Sequence, residues 1–257
     1  MQLMHDFIFL DLTSATVITL AVFLVGLSKG GFGGAFGLLG VPILAFIMPP
    51  LEAAAFLLPI YLFMDAVGLW AWRGHWSKPL IWAILPMALV GIGIGWMTAS
   101  IVSDEIVGLI IGSTALLFVF QSLILKVKSN SKAFSRPNIW SGRFWGLVSG
   151  FSSFIAHAGG PPFQIYAMPL RLDPKIFAGS SVLIFSVLNF IKLGPYLVLG
   201  RLNTEMAMSS VIFIPVAVGA TLLGVFIVRR MAADLFYPIM YALLILVSVR
   251  LIIVGIF

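Results

Sequence analysis

The chain has 257 residues, 61% of them apolar and only 9% charged, with a mean hydropathy of +1.14. Soluble domains run near 45–50% apolar and about 25% charged, and 15 Lys+Arg with 9 Asp+Glu cannot clothe a water-facing surface of this size, which excludes a water-soluble globular fold. A helix crossing the hydrocarbon core needs about 20 residues, so the length accommodates about eight hydrophobic passes joined by short loops. The composition predicts an all-α polytopic membrane protein, a single transmembrane domain over 1–257.

The formal net charge of +6 would suggest nucleic acid in a soluble protein; here it reads as membrane orientation, and no nucleic-acid partner is expected. The absence of cysteine excludes disulfides, thiolate metal sites and Cys nucleophiles. Met1–Asp11 carries His5, Asp6 and Asp11 but no Lys or Arg. It lacks the basic start of a cleavable signal peptide, so the first apolar stretch is expected to belong to the mature chain.

Apolar stretches follow at about 12–48, 53–72, 79–100, 106–125, 143–170, 176–199, 206–228 and 235–257. The first is too long for one helix and is interrupted by Gly26–Gly34. The fifth is interrupted by Ser149-Gly150, Ser152-Ser153 and His157–Pro162. Gly and Pro at this density break helices, so each of these stretches reads as a hairpin of two shorter helices meeting at an elbow.

The interruptions repeat. Gly26, Gly30, Gly40, Pro42 and Met48-Pro49 meet Gly146, Gly150, Gly160, Pro162 and Met168-Pro169 at an offset of 120. The offset then rises: Asp65 falls on Asn189, Pro86 on Pro215 and Asp104 on Asp234, at 124, 129 and 130. An offset that rises in order is what one duplication with short loop insertions leaves. The reading is repeat one at 12–126, a polar linker at 127–139 and repeat two at 140–257.

Cytoplasmic loops carry an excess of Lys and Arg, and this bias orients the repeats. If all eight stretches cross once, eight loop Lys/Arg lie inside and four outside. If the first and fifth are hairpins that return to their own side, Arg73, Lys78, Lys126, Lys128, Lys132, Arg136, Arg143, Arg171, Lys175, Arg229 and Arg230 are all cytoplasmic, leaving Arg201 outside. The second arrangement is preferred: two inverted repeats, each a broken, re-entrant hairpin plus three transmembrane helices, in the cytoplasmic membrane with a cytoplasmic linker and both termini outside. Trp70, Trp72, Trp76, Trp82, Trp140 and Trp145 flank the basic loops and are expected to anchor that interface.

Backbone that leaves the helix at membrane depth must be buried in protein or line a wet cavity. Paired broken segments in corresponding positions of two halves are the best sequence pointer to a transporter's substrate site. Helices restarting near Gly34–Gly37 and Gly159–Pro162 are expected to aim their N-termini at one point, which suits an anion. Candidate binding residues are Gly30, Gly33, Gly34, Gly159, Gly160 and Pro161 in the elbows, and the neutral donors Ser28, Ser149, Ser152, Ser153, Gln164, Tyr166 and Asn189. Lys29 and Lys192 could neutralise the anion, and His157, with an ordinary pKa near 6.5, could exchange a proton, with Asp65 as a second coupling candidate. Each has a plainer alternative: Lys29 could snorkel to the interface, His157 could be a structural hydrogen-bonding residue, Asp65 could pair with a lysine to support packing, and each neutral donor could join helices. No cofactor or metal is expected, since the chain has no His-Glu-x-x-His pair and no phosphate loop with its Gly-Lys-Ser/Thr ending.

Gly26-Leu27-Ser28-Lys29-Gly30-Gly31-Phe32-Gly33-Gly34, Gly40-Val41-Pro42, Gly146, Ser149-Gly150, His157-Ala158-Gly159-Gly160-Pro161-Pro162, Tyr166, Pro169 and Asn189-Phe190-Ile191-Lys192 together resemble the TauE/SafE family of sulfite exporters over essentially the whole chain. The resemblance implies movement, often export, of sulfite, sulfoacetate, thiosulfate or similar small sulfur-containing anions. The second repeat departs from it at Phe151-Ser152-Ser153-Phe154-Ile155, where many members are richer in glycine. The expected function is a secondary transporter of such an anion by alternating access, not an enzyme. Its partners would be the anion, the bilayer, a proton or other coupling ion, and further copies of itself in an oligomer. Competing classes are an anion channel, a membrane-embedded enzyme using His157 with Ser152 or Ser153, and a structural assembly subunit.

Overall fold

The computed structural model describes residues 12–34, 39–48, 50–99, 101–128, 138–198 and 204–256. His5, Asp6, Asp11, the restart at Gly37, Lys132, Arg136, most of the linker and Arg201 lie outside them. The described residues form helices and no strands: α1 (Leu12–Lys29), α2 (Gly40–Leu44), α3 (Pro50–Ala71), α4 (Lys78–Thr98), α5 (Asp104–Lys128), α6 (Ile139–Ile155), α7 (Gly160–Ala167), a 3-10 turn (Met168–Leu170), α8 (Pro174–Val198), α9 (Thr204–Val211), α10 (Ile214–Arg230) and α11 (Ala233–Ile256).

Start signals sit where the chemistry of helix ends puts them. Ser77 caps α4, accepting from the Leu80 amide at 3.4 Å, and Asn138 caps α6, accepting from the amides of Trp140 at 3.0 Å and Ser141 at 3.4 Å. Proline opens α4, α7 and α10, where its missing N–H costs nothing. Five helices among the described residues are long and apolar enough to cross a membrane: α1, α4, α5, α8 and α11. The apolar stretch of α3, Phe56–Ala71, is shorter. Large outward side chains such as Trp82 and Leu117, both 70% exposed, are what a helix facing lipid presents.

Both broken stretches resolve into two helical pieces with a non-helical elbow, but their arms are unequal. α1 continues through Gly26 to Lys29 and is long enough to cross, whereas α2 has only five residues. The described part of the second arm of the first hairpin begins at Leu39 and is α-helical from Gly40. The stretch 206–228 is divided at Ile212-Phe213 into α9 and α10, with Pro215 in the first turn of the second piece.

Helices pack across the halves more than within them. α1, the first arm of the first hairpin, lies along α10; α6, the first arm of the second, lies along α4; α3 packs on α8 and α5 on α11. Exchanging the halves maps this set of pairings onto itself. The close approaches rest on glycines the sequence aligned: a Cβ on Gly30 would stand 2.5 Å from the Thr221 carbonyl oxygen, and one on Gly150 would stand 1.9 Å from that of Ala88. Without hydrophobic drive between helices in lipid, small residues of this kind let backbones meet and gain packing energy.

Trp72 departs from the interfacial role expected of it. It is 1% exposed, and its indole N–H donates to the Gly30 carbonyl at 2.9 Å. Trp70 and Trp140, 64% and 72% exposed, face outward, each with a neighbouring arginine over its ring.

Candidate functional site

Two elbows build the site. In the first, α1 ends at Lys29 and the chain turns through Gly33 and Gly34, whose φ of +58° and +78° a side chain would resist. In the second, α6 ends at Ile155 and His157 takes φ +51°, an uncommon but tolerated conformation for histidine. Ser149 and Ser152 hold that turn: Ser149 Oγ donates to the Gly159 carbonyl at 2.7 Å, and Ser152 Oγ is 2.7 Å from the Val148 carbonyl and 3.0 Å from that of Ala158. Carbonyls freed where a helix stops are thereby satisfied inside the protein, as lipid requires.

The elbows meet. A Cβ on Gly160 would lie 3.3 Å from the Gly33 carbonyl oxygen and 3.4 Å from that of Gly34. Gln164, one turn after Gly160, donates from Nε2 to the Gly33 carbonyl at 3.2 Å. That bond fixes the orientation of its amide; Oε1 is buried without a hydrogen-bond partner among the described residues.

A cavity opens beside this contact, with about 610 Å³ of empty space including its open mouth. Its wall is formed by Ser28, Lys29, Gly33 and Gly34 from the first hairpin, Tyr61 and Asp65 from α3, Ser153, His157, Gly159 and Gly160 from the second hairpin, and Ser181, Val182, Phe185, Asn189 and Lys192 from α8. Lys29 Nζ lies 2.5 Å from Asp65 Oδ1 and 4.9 Å from the Tyr61 ring centre. Asn189 Nδ2 donates to Asp65 Oδ2 at 2.8 Å, so both carboxylate oxygens are engaged. Lys192, 2% exposed, donates to Ser153 Oγ at 3.0 Å and to the Ser153 carbonyl at 3.2 Å. His157 Nε2 shares a hydrogen bond of 2.9 Å with the Tyr196 hydroxyl.

Of the residues singled out from sequence, Ser28, Lys29, Gly33, Gly34, Asp65, Ser153, His157, Gly159, Gly160, Asn189 and Lys192 share this cavity wall. The others stand behind it. Gly30 sits at the α1–α10 crossing, Ser149 and Ser152 turn to the elbow carbonyls, Pro161 is in the first turn of α7, and Gln164 ties the elbows together. Tyr166 donates to the Asn138 carbonyl at 3.2 Å, beneath the start of α6. Lys29 turns to Asp65 instead of snorkelling outward. Among the described residues, α7 brings its start to the cavity through Gly159 and Gly160, while Gly40, the first residue of α2, packs against Val25, Leu57 and Tyr61.

Tyr61, Ser181, Val182, Phe185 and Tyr196 were not singled out. Helical spacing was the available signal: Tyr61 is four residues before Asp65, Phe185 and Ser181 step back from Asn189 by four and eight, and Tyr196 follows Lys192 by four, all on shared helix faces.

The electrostatics follow from this arrangement. Lys29 and Asp65 neutralise one another. Lys192 is in no ion pair among the described residues, and the N-terminus of α7 adds a positive dipole end. Charging a buried amine costs several kcal/mol, which an anion entering the cavity would offset. No cluster of three or more His, Cys, Asp or Glu suited to a metal occurs among the described residues.

The family model described as Sulfite exporter TauE/SafE matches residues 18–251, nearly the whole chain. No curated protein and no solved structure matches. With its apolar spanning helices and its match across both hairpins, the chain is a multi-pass membrane protein that belongs to the TauE/SafE family.

Proposed function

We propose that the protein is a secondary transporter of a small sulfur-containing anion, sulfite or an organosulfonate, held between the two elbows and moved by alternating access, with export as its direction. The observation that carries this reading is the buried Lys192 amine in the wall of a cavity where two broken hairpins meet. A wet, positively biased pocket at unwound backbone is the arrangement in which transporters hold anionic groups. Ser28 and Ser153 are neutral donors within reach of oxyanion oxygens, and the glycines admit a ligand close to the backbone.

Two inverted halves suit this mechanism. The rising register of Gly and Pro, the gathering of Lys and Arg on one set of loops, and the cross-half helix pairing support that architecture, with 127–139 cytoplasmic and both termini outside. No nucleotide-binding loop occurs in the sequence, so an ion gradient is the energy source; protons are favoured, with His157 and Asp65 as carriers.

Proteoliposomes loaded with labelled sulfite, sulfoacetate or taurine test the reading. Saturable flux that a pH gradient accelerates is the expected result. Absence of flux and binding for every anion overturns it, conductance far above carrier turnover marks a channel, and chemical conversion without net movement marks an enzyme.

A further inference from the structure

Outside the cavity wall, and whatever the cavity carries, we propose that the paired ends of α3 and α10 bind an anionic phospholipid, with Arg73, Arg229 and Arg230 on its headgroup. α3 and α10 pack against one another, and Arg229 fixes their ends. Its guanidinium donates to the carbonyl of Ala71, the last residue of α3, and lies 5.4 Å from the centre of the Trp72 ring. That bond satisfies a carbonyl freed at a helix end and sets a cation at the negative end of the dipole. Helix capping thus accounts for Arg229. It does not account for its neighbours.

Arg73 and Arg230 are exposed, and each lies over an outward-facing aromatic ring: Arg73 5.2 Å from the Trp70 centre, Arg230 3.6 Å from that of Phe226. The ion pair among the described residues is Lys29–Asp65, so none of these three guanidiniums is matched with a carboxylate there. Asp234, exposed and four residues beyond Arg230, is one carboxylate against three cations. The Ala71 contact brings those cations to one patch, because Arg73 follows it by two residues and Arg230 is adjacent to Arg229 in the chain.

The surface beneath the arginines identifies the occupant. Trp70, Ala66 and Phe63 lead back from Arg73 by three, seven and ten residues, and Phe226 and Leu222 lead back from Arg230 by four and eight; all are exposed. At this spacing each set lies along one face of its helix. The patch therefore joins a cluster of positive charge at the membrane surface to two apolar tracks running into the bilayer, which fits a phosphate carrying two acyl chains. Arginine meets phosphate oxygens as a fork of parallel hydrogen bonds, and basic pockets between membrane helices suit anionic headgroups. A zwitterionic lipid offers the same phosphate but sets its ammonium among three guanidiniums. A free phosphate has no use for the apolar tracks.

Native mass spectrometry of the purified full chain, titrated in neutral detergent with dioleoylphosphatidylglycerol or dioleoylphosphatidylcholine, tests the site. Wild type should bind the phosphatidylglycerol more tightly by about tenfold or more, since each arginine is worth about fivefold on an anionic headgroup. Arg73→Gln/Arg230→Gln should weaken it by about twentyfold and leave phosphatidylcholine within about twofold. Arg73→Lys/Arg230→Lys keeps the charge without the fork and should recover part of that loss. Both side chains are exposed, so the unfolding midpoint without lipid should stay at the wild-type value. If the double variant does not fold, Arg230→Gln alone should lose about fivefold. Arg143→Gln removes a similar arginine, over Trp140 on α6, which packs chiefly on α4, and should lose no more than about twofold. Equal wild-type affinity for the two lipids, a double variant that binds like wild type, or an equal loss in Arg143→Gln overturns the proposal. Displacement of the lipid by millimolar inorganic phosphate also overturns it, marking a site for the free anion. Anion flux through the cavity is untouched by any of these results.

Discussion

Asn189 Nδ2 donates to Asp65 Oδ2 at 2.8 Å, and these two residues occupy the same place in the two halves of the sequence, 124 positions apart. In the proposed arrangement of two inverted halves, equivalent residues touch one another where the two-fold axis passes between them. The contact therefore ties α3 to α8 at the centre of the molecule, in the wall of the cavity. Asn189→Leu removes a donor from a buried carboxylate and should destabilise the protein by about 1–3 kcal/mol, read as a lowered midpoint of thermal unfolding in detergent. Asn189→Asp should do more, since it sets a second carboxylate against the first, and anion affinity should fall by about tenfold or more. Unchanged affinity in Asn189→Asp would remove this pair from the site.

On the proposed reading, Lys192 is the residue on which anion binding most depends. Lys192→Ala removes an amine that forms no ion pair among the described residues and should lower flux by about a hundredfold, in line with the loss of a buried charge partner at about 2–5 kcal/mol. Transport by the variant at the native rate would exclude the residue from the site.

The glycine crossings make a stability prediction with an internal control. Gly150→Ala forces a methyl to 1.9 Å from the Ala88 carbonyl oxygen, and Gly30→Ala forces one to 2.5 Å from that of Thr221. Each should cost about 1–3 kcal/mol or more through separation of the helix pair. Gly219→Ala, whose Cβ meets nothing within 4 Å, should be neutral or slightly stabilising through its gain in helix propensity. Comparable unfolding midpoints for all three would show that these crossings are not close packed in the membrane.

Orientation can be read chemically because the chain has no cysteine. Single cysteines at the exposed positions Ile101 and Lys175 should react oppositely with a membrane-impermeant maleimide in intact cells. Ile101→Cys should label from outside, and Lys175→Cys only after the membrane is opened. Labelling of both from the same side would contradict inverted halves.

The broken hairpins were legible in the sequence because Gly and Pro act on the local backbone, whatever surrounds it. Asp65, Asn189 and Lys192 stood out for a similar reason: an ionisable or strongly polar group in an apolar run needs a partner. What the sequence withheld is tertiary. Ser149 and Ser152 looked like ligand donors, yet their hydroxyls serve the carbonyls of residues 158 and 159, a use that depends on how the second elbow folds back. Trp72 looked interfacial beside Arg73, but α3 carries it inward to the Gly30 carbonyl. Tyr61 and Phe185 carry no anomaly of composition, and only the docking of α3 against α8 turns them toward the cavity.

The pairing of α1 with α10 and of α6 with α4 bears on how such a chain arose and how it can be divided. Each half offers a hairpin arm whose closest neighbour belongs to the other half. A half made alone would present that glycine-lined arm to lipid with nothing to receive it, unless a second copy, inserted upside down, supplied the missing helix. If the halves are inverted as proposed, the ancestor of such a chain is a dimer of oppositely oriented copies. The modern protein, cut within its linker and expressed as two fragments, should reassemble because neither fragment is whole without the other.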